Sequence, residues 1–169
     1  MSTAPTPDAP AAPAAPVITN AAPVITNAGS APATRHQLFV NLPVADLQRS
    51  ITFFEALGFR FNPRCTGATA TCLLVGEDAY VMLLTHARFR GFSGRPMGDR
   101  ARETNALFAL SGASRGAVDA LVRRAVAAGG APAAAPQDHG FMYGSSFRDP
   151  DGHHWEVFWM DPAASPPQQ

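Results

Sequence analysis

The chain has no apolar run near the ~20 residues that a helix needs to cross a bilayer. It has no charge excess either: 13 basic and 13 acidic residues balance, so no long-range field draws it to nucleic acid or an anionic membrane. The arginines are scattered rather than clustered, which argues against a nucleic-acid partner. Cysteine is scarce, with only Cys65 and Cys72. Two thiols this close suit reduced residues in a cytoplasmic protein better than a disulfide framework. The start lacks the basic residues and continuous apolar stretch of a secretory signal.

What is present falls into three segments. Residues 1–35 are dominated by Ala and Pro, and APVITNA at 15–21 recurs at 22–28. Proline removes backbone donors and alanine offers little surface to bury, so a disordered arm is expected there. AASPPQQ at the other end predicts a disordered tail over 163–169. The folded unit is expected over 36–162, as one domain.

Within that unit HQLFVNL (36–42) reads as a strand. Asp46 is placed to cap a helix whose Leu47, Ile51, Phe54 and Leu57 recur at helical spacing before Gly58 ends it. Strands are expected at 59–62, 70–75 and 79–86, the last two forming a hairpin through GED. Residues 87–104 show no period and read as a long loop or a loop with a short helical turn. The order then repeats. NALFAL (105–110) is a strand, Ser114 caps a helix with Val118, Leu121, Val122, Ala125 and Val126 on its apolar stripe, and Gly129–Gly130 stop it. APAAAP suits an edge strand, FMYGSSF (141–147) and HWEVFWM (154–160) are strands, and DPDG (149–152) is a turn. Both halves thus run strand, helix, three strands: modules 36–86 and 105–162 joined by the loop 87–104.

One carboxylate, Glu156, sits inside the aromatic and aliphatic run FRDPDGHHWEVFWM. A charge in such a strand is exposed, paired or bound to something. Strand parity places His154 and Glu156 on one face with Phe158, and Trp155 and Trp159 on the other, where packing under a helix or at a dimer contact suits them. The same parity pairs Phe39 with Asn41, an amide able to bond a ligand or the loop before Pro43. In QDHGFMYGSSF, Asp138 and His139 stand at a strand entrance, with Tyr143 and Ser145 sharing a face within it. His139 and Tyr143 are candidates for ligand contact; a turn held by Asp138, and a core tyrosine, are the alternatives. A metal site from His154 and Glu156 with His86 or His139 is a further alternative.

NLPVADLQRSITFFEALGF and FRDPDGHHWEVF resemble the opening strand–helix and the closing turn and strand of the vicinal oxygen chelate superfamily, which includes glyoxalase I, extradiol dioxygenases and bleomycin-binding proteins. FVNLPVADL, ATCLLVGEDAYVMLLT, APQDHGFMYGSSF and DPDGHHWEVFWMDP are similar to a subgroup described as predicted lactoylglutathione lyases. The resemblance covers 36–162. It implies an α+β fold in which two βαβββ modules form curled mixed sheets around a central cup. Metal-dependent relatives hold a divalent ion at four inward positions. These fall here on Phe39, Met82, Asn105 and Glu156, of which only Glu156 keeps a family ligand. Phe offers no donor, and a thioether and an amide are poor ligands for hard ions. No cofactor is therefore expected, with a divalent metal as the alternative. Two functions follow. One is a glyoxalase-like enzyme, a lyase or isomerase, acting on a small oxygenated or thiol-adduct molecule, with Glu156 as base, Asn41, Asn105, His139, Tyr143 and His154 contacting substrate, and Phe39 and Met82 lining the pocket. The other is a metal-free protein that sequesters a small, partly aromatic molecule. A homodimer is expected because family members pair and the aromatic faces need cover.

Overall fold

The computed structural model describes residues 36–99, 102–104 and 106–164. The expected arm (1–35), most of the expected tail (165–169) and Asn105 lie outside the described residues.

The first module runs β1 (Leu38–Val44), α1 (Leu47–Ala56), β2 (Arg60–Asn62), a 3-10 turn (Pro63–Cys65), β3 (Ala70–Leu74) and β4 (Ala79–Thr85). The second runs β5 (Leu107–Ser111), α3 (Arg115–Ala127), β6 (Ala131–Asp138), β7 (Met142–Arg148) and β8 (His154–Met160). Each makes a four-stranded sheet of the same topology, β1-β4-β3-β2 and β5-β8-β7-β6. In each the first strand runs parallel to the last, and the remaining pairs are antiparallel. This is the α+β architecture of paired βαβββ modules. The two sheets are open, keep separate ladders and do not curl into a barrel.

Local chemistry explains the helix ends. Asp46 accepts from Arg49 N at the start of α1, and Ser114 accepts from Ala117 N at the start of α3, each satisfying a donor the helix cannot. Between the modules the expected loop begins with a helix, α2 (His86–Ser93), capped by the Thr85 side chain and ended by Gly94 at φ +60°. None of its residues is buried, so it has no apolar period from which a sequence could disclose it.

The core joins the modules. Phe53, Phe54 and Leu57 of α1, Leu73, Val81 and Leu83 of the first sheet, Val118 and Ala125 of α3, and Phe147, Trp155 and Val157 of the second sheet form one cluster. The Phe54 ring meets the edge of Trp155 at 5.3 Å, and Phe147 stacks on Trp155 at 6.3 Å. Helix-covered faces of both sheets therefore share one interior, and the opposite face of each sheet is open in part, with Phe39 and Leu107 exposed but Cys72, Leu84 and Ser146 buried.

A polar clasp supplements this apolar contact. The turn between β7 and β8 carries Asp151, whose side chain is only 3 % exposed. Its Oδ1 accepts from Ala45 N at 2.7 Å and Arg49 Nη2 at 3.0 Å, and its Oδ2 from Ser50 Oγ at 3.0 Å. His153 Nε2 donates to Pro43 O at 2.9 Å, so the ring carries its proton on that nitrogen. Asp149 organises the turn from within, accepting from the backbone N–H of Asp151 and His153 and from Trp155 Nε1, each at 3.0 Å. Burial pushes its carboxyl upward against those donors and the nearby His153.

Candidate functional site

The open face of the second sheet brings His154 and Glu156 together, as alternation along β8 requires. On β7 their neighbours are Arg148, opposite His154, and Ser146, opposite Glu156. On β5 they are Leu107 and Ala109. Arg148 Nη1 reaches Gly152 O at 3.4 Å and Thr104 Oγ1 at 3.5 Å. Among the described residues Glu156 has no hydrogen-bond or ion-pair partner. His154 Nε2 is buried without one. Burial lowers the pKa of His154, the Arg148 charge lowers it further, and Glu156 opposes both. A neutral imidazole with an unsatisfied nitrogen thus lies two residues from a half-buried carboxylate. Leaving a buried polar atom unpaired costs about 1–3 kcal/mol.

The open face of the first sheet differs in chemistry. Phe39 stacks on Tyr80, centroids 4.7 Å apart and planes 16° from parallel. The Tyr80 hydroxyl donates to Glu77 O at 2.9 Å and accepts from Gln37 Nε2 at 3.2 Å, which fixes the lower ring. Phe39 remains 49 % exposed, so the upper ring presents a free π face. The next row along the strands pairs Asn41 with Met82, and Met82 with Cys72 on its other side. Phe39, Asn41 and Met82 therefore share one surface made of a ring, an amide and a thioether.

His139 and Tyr143 are placed elsewhere. Tyr143 pairs with Trp159 across β7 and β8 and so lies on the helix-covered face, opposite Glu156. Its hydroxyl donates to Asp119 of α3 at 2.7 Å, the chief cause of its raised pKa. Arg115 lies over both rings, 5.3 Å from the Tyr143 centroid and 5.2 Å from that of Trp159, and ion-pairs with Asp138. The hydrogen bond from Arg115 holds the Asp138 carboxyl below its ordinary range. His139 is exposed in the β6–β7 connection, where Nε2 lies 3.4 Å from Gln137 Oε1. This cluster bolts β6 and β7 to α3 and is separate from Glu156. Asn105 lies outside the described residues.

Two clefts, of about 420 and 310 Å³, also lie away from these faces. The first is lined by Ala45, Arg49, His86 and Pro150 among others, the second by Ile51, Glu55, Phe61 and Thr71 among others. The alternative metal site of His154, Glu156 and His86 or His139 is not assembled: no three His, Cys, Asp or Glu among the described residues stand close enough to hold an ion. Parity brings His154 to Glu156, whereas His86 and His139 belong to other ends of the fold. The family-type ligand set does not fit a metal either, because Phe39 offers a ring committed to Tyr80 and Met82 a soft sulfur.

A family model described as Glyoxalase/Bleomycin resistance protein/Dioxygenase superfamily matches residues 36–157. The chain belongs to that superfamily. Several solved structures share its fold. The hypothetical protein SA1046 from S. aureus aligns with TM-score 0.65 and 28 % identity, over 73 % of this chain and 92 % of that one. A glyoxalase-related enzyme from Fulvimarina pelagi aligns with TM-score 0.63 and 20 % identity, over 74 % and 88 %. TnmS3, an antibiotic binding protein from Streptomyces sp. CB03234, aligns with TM-score 0.53 and 22 % identity, over 76 % and 98 %. No curated protein sequence matches. Superfamily members bind small molecules, and no helix among the described residues is long and apolar enough to cross a membrane.

Proposed function

We propose that this superfamily member is a metal-independent small-molecule binding protein that holds a partly aromatic ligand against its open sheet faces. The observation that carries this reading is the Phe39–Tyr80 stack, built on the residue that the sequence resemblance aligns with the first ligand of metal-dependent relatives. A fixed ring with a free face favours a planar guest by offset stacking, worth about 0.5–1.5 kcal/mol per ring pair beyond the area buried. Met82 adds a polarisable sulfur and Asn41 a donor and an acceptor for the guest's polar edge. A solved neighbour is described as an antibiotic binding protein, in keeping with this use of the fold. The proposal includes a homodimer, since the half-exposed Phe39 and Leu107 lie on faces that one copy alone leaves open. It also includes a cytoplasmic location, in keeping with the two free thiols.

The pair His154 and Glu156 favours a second reading. A half-buried carboxylate without a hydrogen-bond partner among the described residues, next to an imidazole held neutral, suits proton transfer. In this reading Glu156 is the base of a lyase or isomerase acting on a small oxygenated or thiol-adduct substrate, with Asn105 among the contacts.

One set of measurements separates them. Protein purified without an affinity tag is assayed for metal, titrated with planar aromatic compounds by fluorescence quenching, and tested for hemithioacetal isomerisation with Ni, Zn, Mn or Co. Binding without metal, weakened about 3- to 10-fold by Phe39→Ala, supports sequestration. Turnover that disappears in Glu156→Gln, with or without added metal, supports the enzyme and sinks the binder.

A further inference from the structure

The two cysteines occupy related places in the first module. Cys72 lies on β3 opposite Asn62 of β2. Asn62 caps the 3-10 turn that Cys65 ends. Residues three apart in such a turn eclipse one another, with a rise of about 2 Å per residue. Cys65 therefore lies within one short turn of the strand partner of Cys72. The chain on either side is already joined. Thr66 Oγ1 donates to Asn62 O at 2.9 Å and lies 2.8 Å from Thr71 Oγ1, and Gly67 N donates to Ala70 O at 2.8 Å. The residue after Cys65 is thus tied to the residue before Cys72. Disulfides need Cα atoms about 4.4–6.8 Å apart, so the bond closes only with the turn that carries Cys65 drawn against β3.

The environments of the two thiols differ. Cys65 is exposed and Cys72 is 1 % exposed. Burial, and secondarily the nearby Cys65, push the Cys72 thiol up, so it rests protonated.

We propose that Cys65 and Cys72 are a reversible redox pair, which hydrogen peroxide or a similar small peroxide converts to a disulfide pinning the Pro63–Cys65 turn onto β3. Cys65 sulfur attacks one peroxide oxygen; the O–O bond breaks, giving a sulfenic acid and one water. Cys72 sulfur then attacks Cys65 sulfur; the S–O bond breaks, and the departing hydroxide leaves as a second water with the proton Cys72 gives up. Two thiols supply the two electrons that reduce one peroxide. A small thiol reverses the bond by exchange. Because Cys72 pairs with Met82 on the open face of the first sheet, the link forms at the margin of the surface that carries Phe39. The inference stands whether or not that surface binds a ligand.

The full chain reports the outcome directly. It has no lysine, and between Arg64 and Arg88 no arginine, so trypsin releases both cysteines in one peptide, 65–88. After titration with hydrogen peroxide, that peptide is expected to be lighter by two hydrogens. Both alkylatable thiols are lost together and return with dithiothreitol. Cys65→Ser, at an exposed position, is expected to keep Cys72 alkylatable on unfolding after the same treatment. The proposal is overturned if Cys65 oxidises to sulfinic acid while Cys72 remains a free thiol, or if the product is a disulfide between two chains.

Discussion

His154 is the side chain whose surroundings most constrain its chemistry. Its pKa is lowered, chiefly by burial, so the folded state prefers the neutral ring. The unfolded chain therefore binds the proton more readily, and stability falls as pH drops below the ordinary histidine value of about 6.5 until the folded pKa is passed. Unfolding midpoints measured between pH 7.5 and 5 are expected to decline, and His154→Gln to flatten that decline. Asp138 acts at lower pH, with the same sense of shift: its pKa is lowered by Arg115, so the stability it contributes is full above about pH 4 and disappears as pH falls through the folded value. Tyr143→Phe removes one hydrogen bond to Asp119 and should lower stability slightly in denaturant unfolding. It should leave ligand affinity unchanged, since Tyr143 faces α3. The sequence pairs His154 with Glu156 and Phe39 with Asn41 because alternation along one strand is a local property. The face that Tyr143 takes depends on register with β8, which its own strand does not encode.

At the scale of elements, strong caps and apolar periods made α1 and α3 legible, with Asp46 and Ser114 at their starts. The helix α2 was not, because its cap is a threonine and it buries nothing. The edge strand β6 was legible through its prolines, although its ladder to β7 is irregular, with register shifts at Pro132, Ala134 and Gln137. The passage from α3 into β6 depends on Gly130. A Cβ there would meet Arg148 O at 2.7 Å, Ala125 O at 3.0 Å and the Phe53 ring at 3.1 Å. Two of those neighbours are backbone and cannot swing aside. Gly130→Ala is therefore expected to lower stability by about 1–3 kcal/mol, and differential scanning calorimetry would show it as a reduced midpoint. Loss of helix packing against β7 would accompany it.

At the scale of the whole molecule, the repeated order of elements made the duplicated architecture readable, because each module is patterned on its own. How the modules meet was less accessible, because DPDG reads as a turn whatever it touches. In the structure that turn sends Asp151 into the start of α1. Asp151→Ala strands the Ala45 N–H and the Arg49 charge at the junction. It should cost about 2–3 kcal/mol, measured by urea unfolding, with Asp151→Asn intermediate. Arg49 is half exposed, so Arg49→Ala should cost less than either.

Trp155 gives this junction an optical consequence. The chain contains two tryptophans, and Trp155 is wedged among Phe54, Phe108 and Phe147 with its indole N–H on Asp149. In a Trp159→Phe background its emission becomes a gauge of whether the halves are seated, shifting to the red as soon as water enters between them. Stopped-flow mixing could then time the closing of the seam separately from the folding of either half.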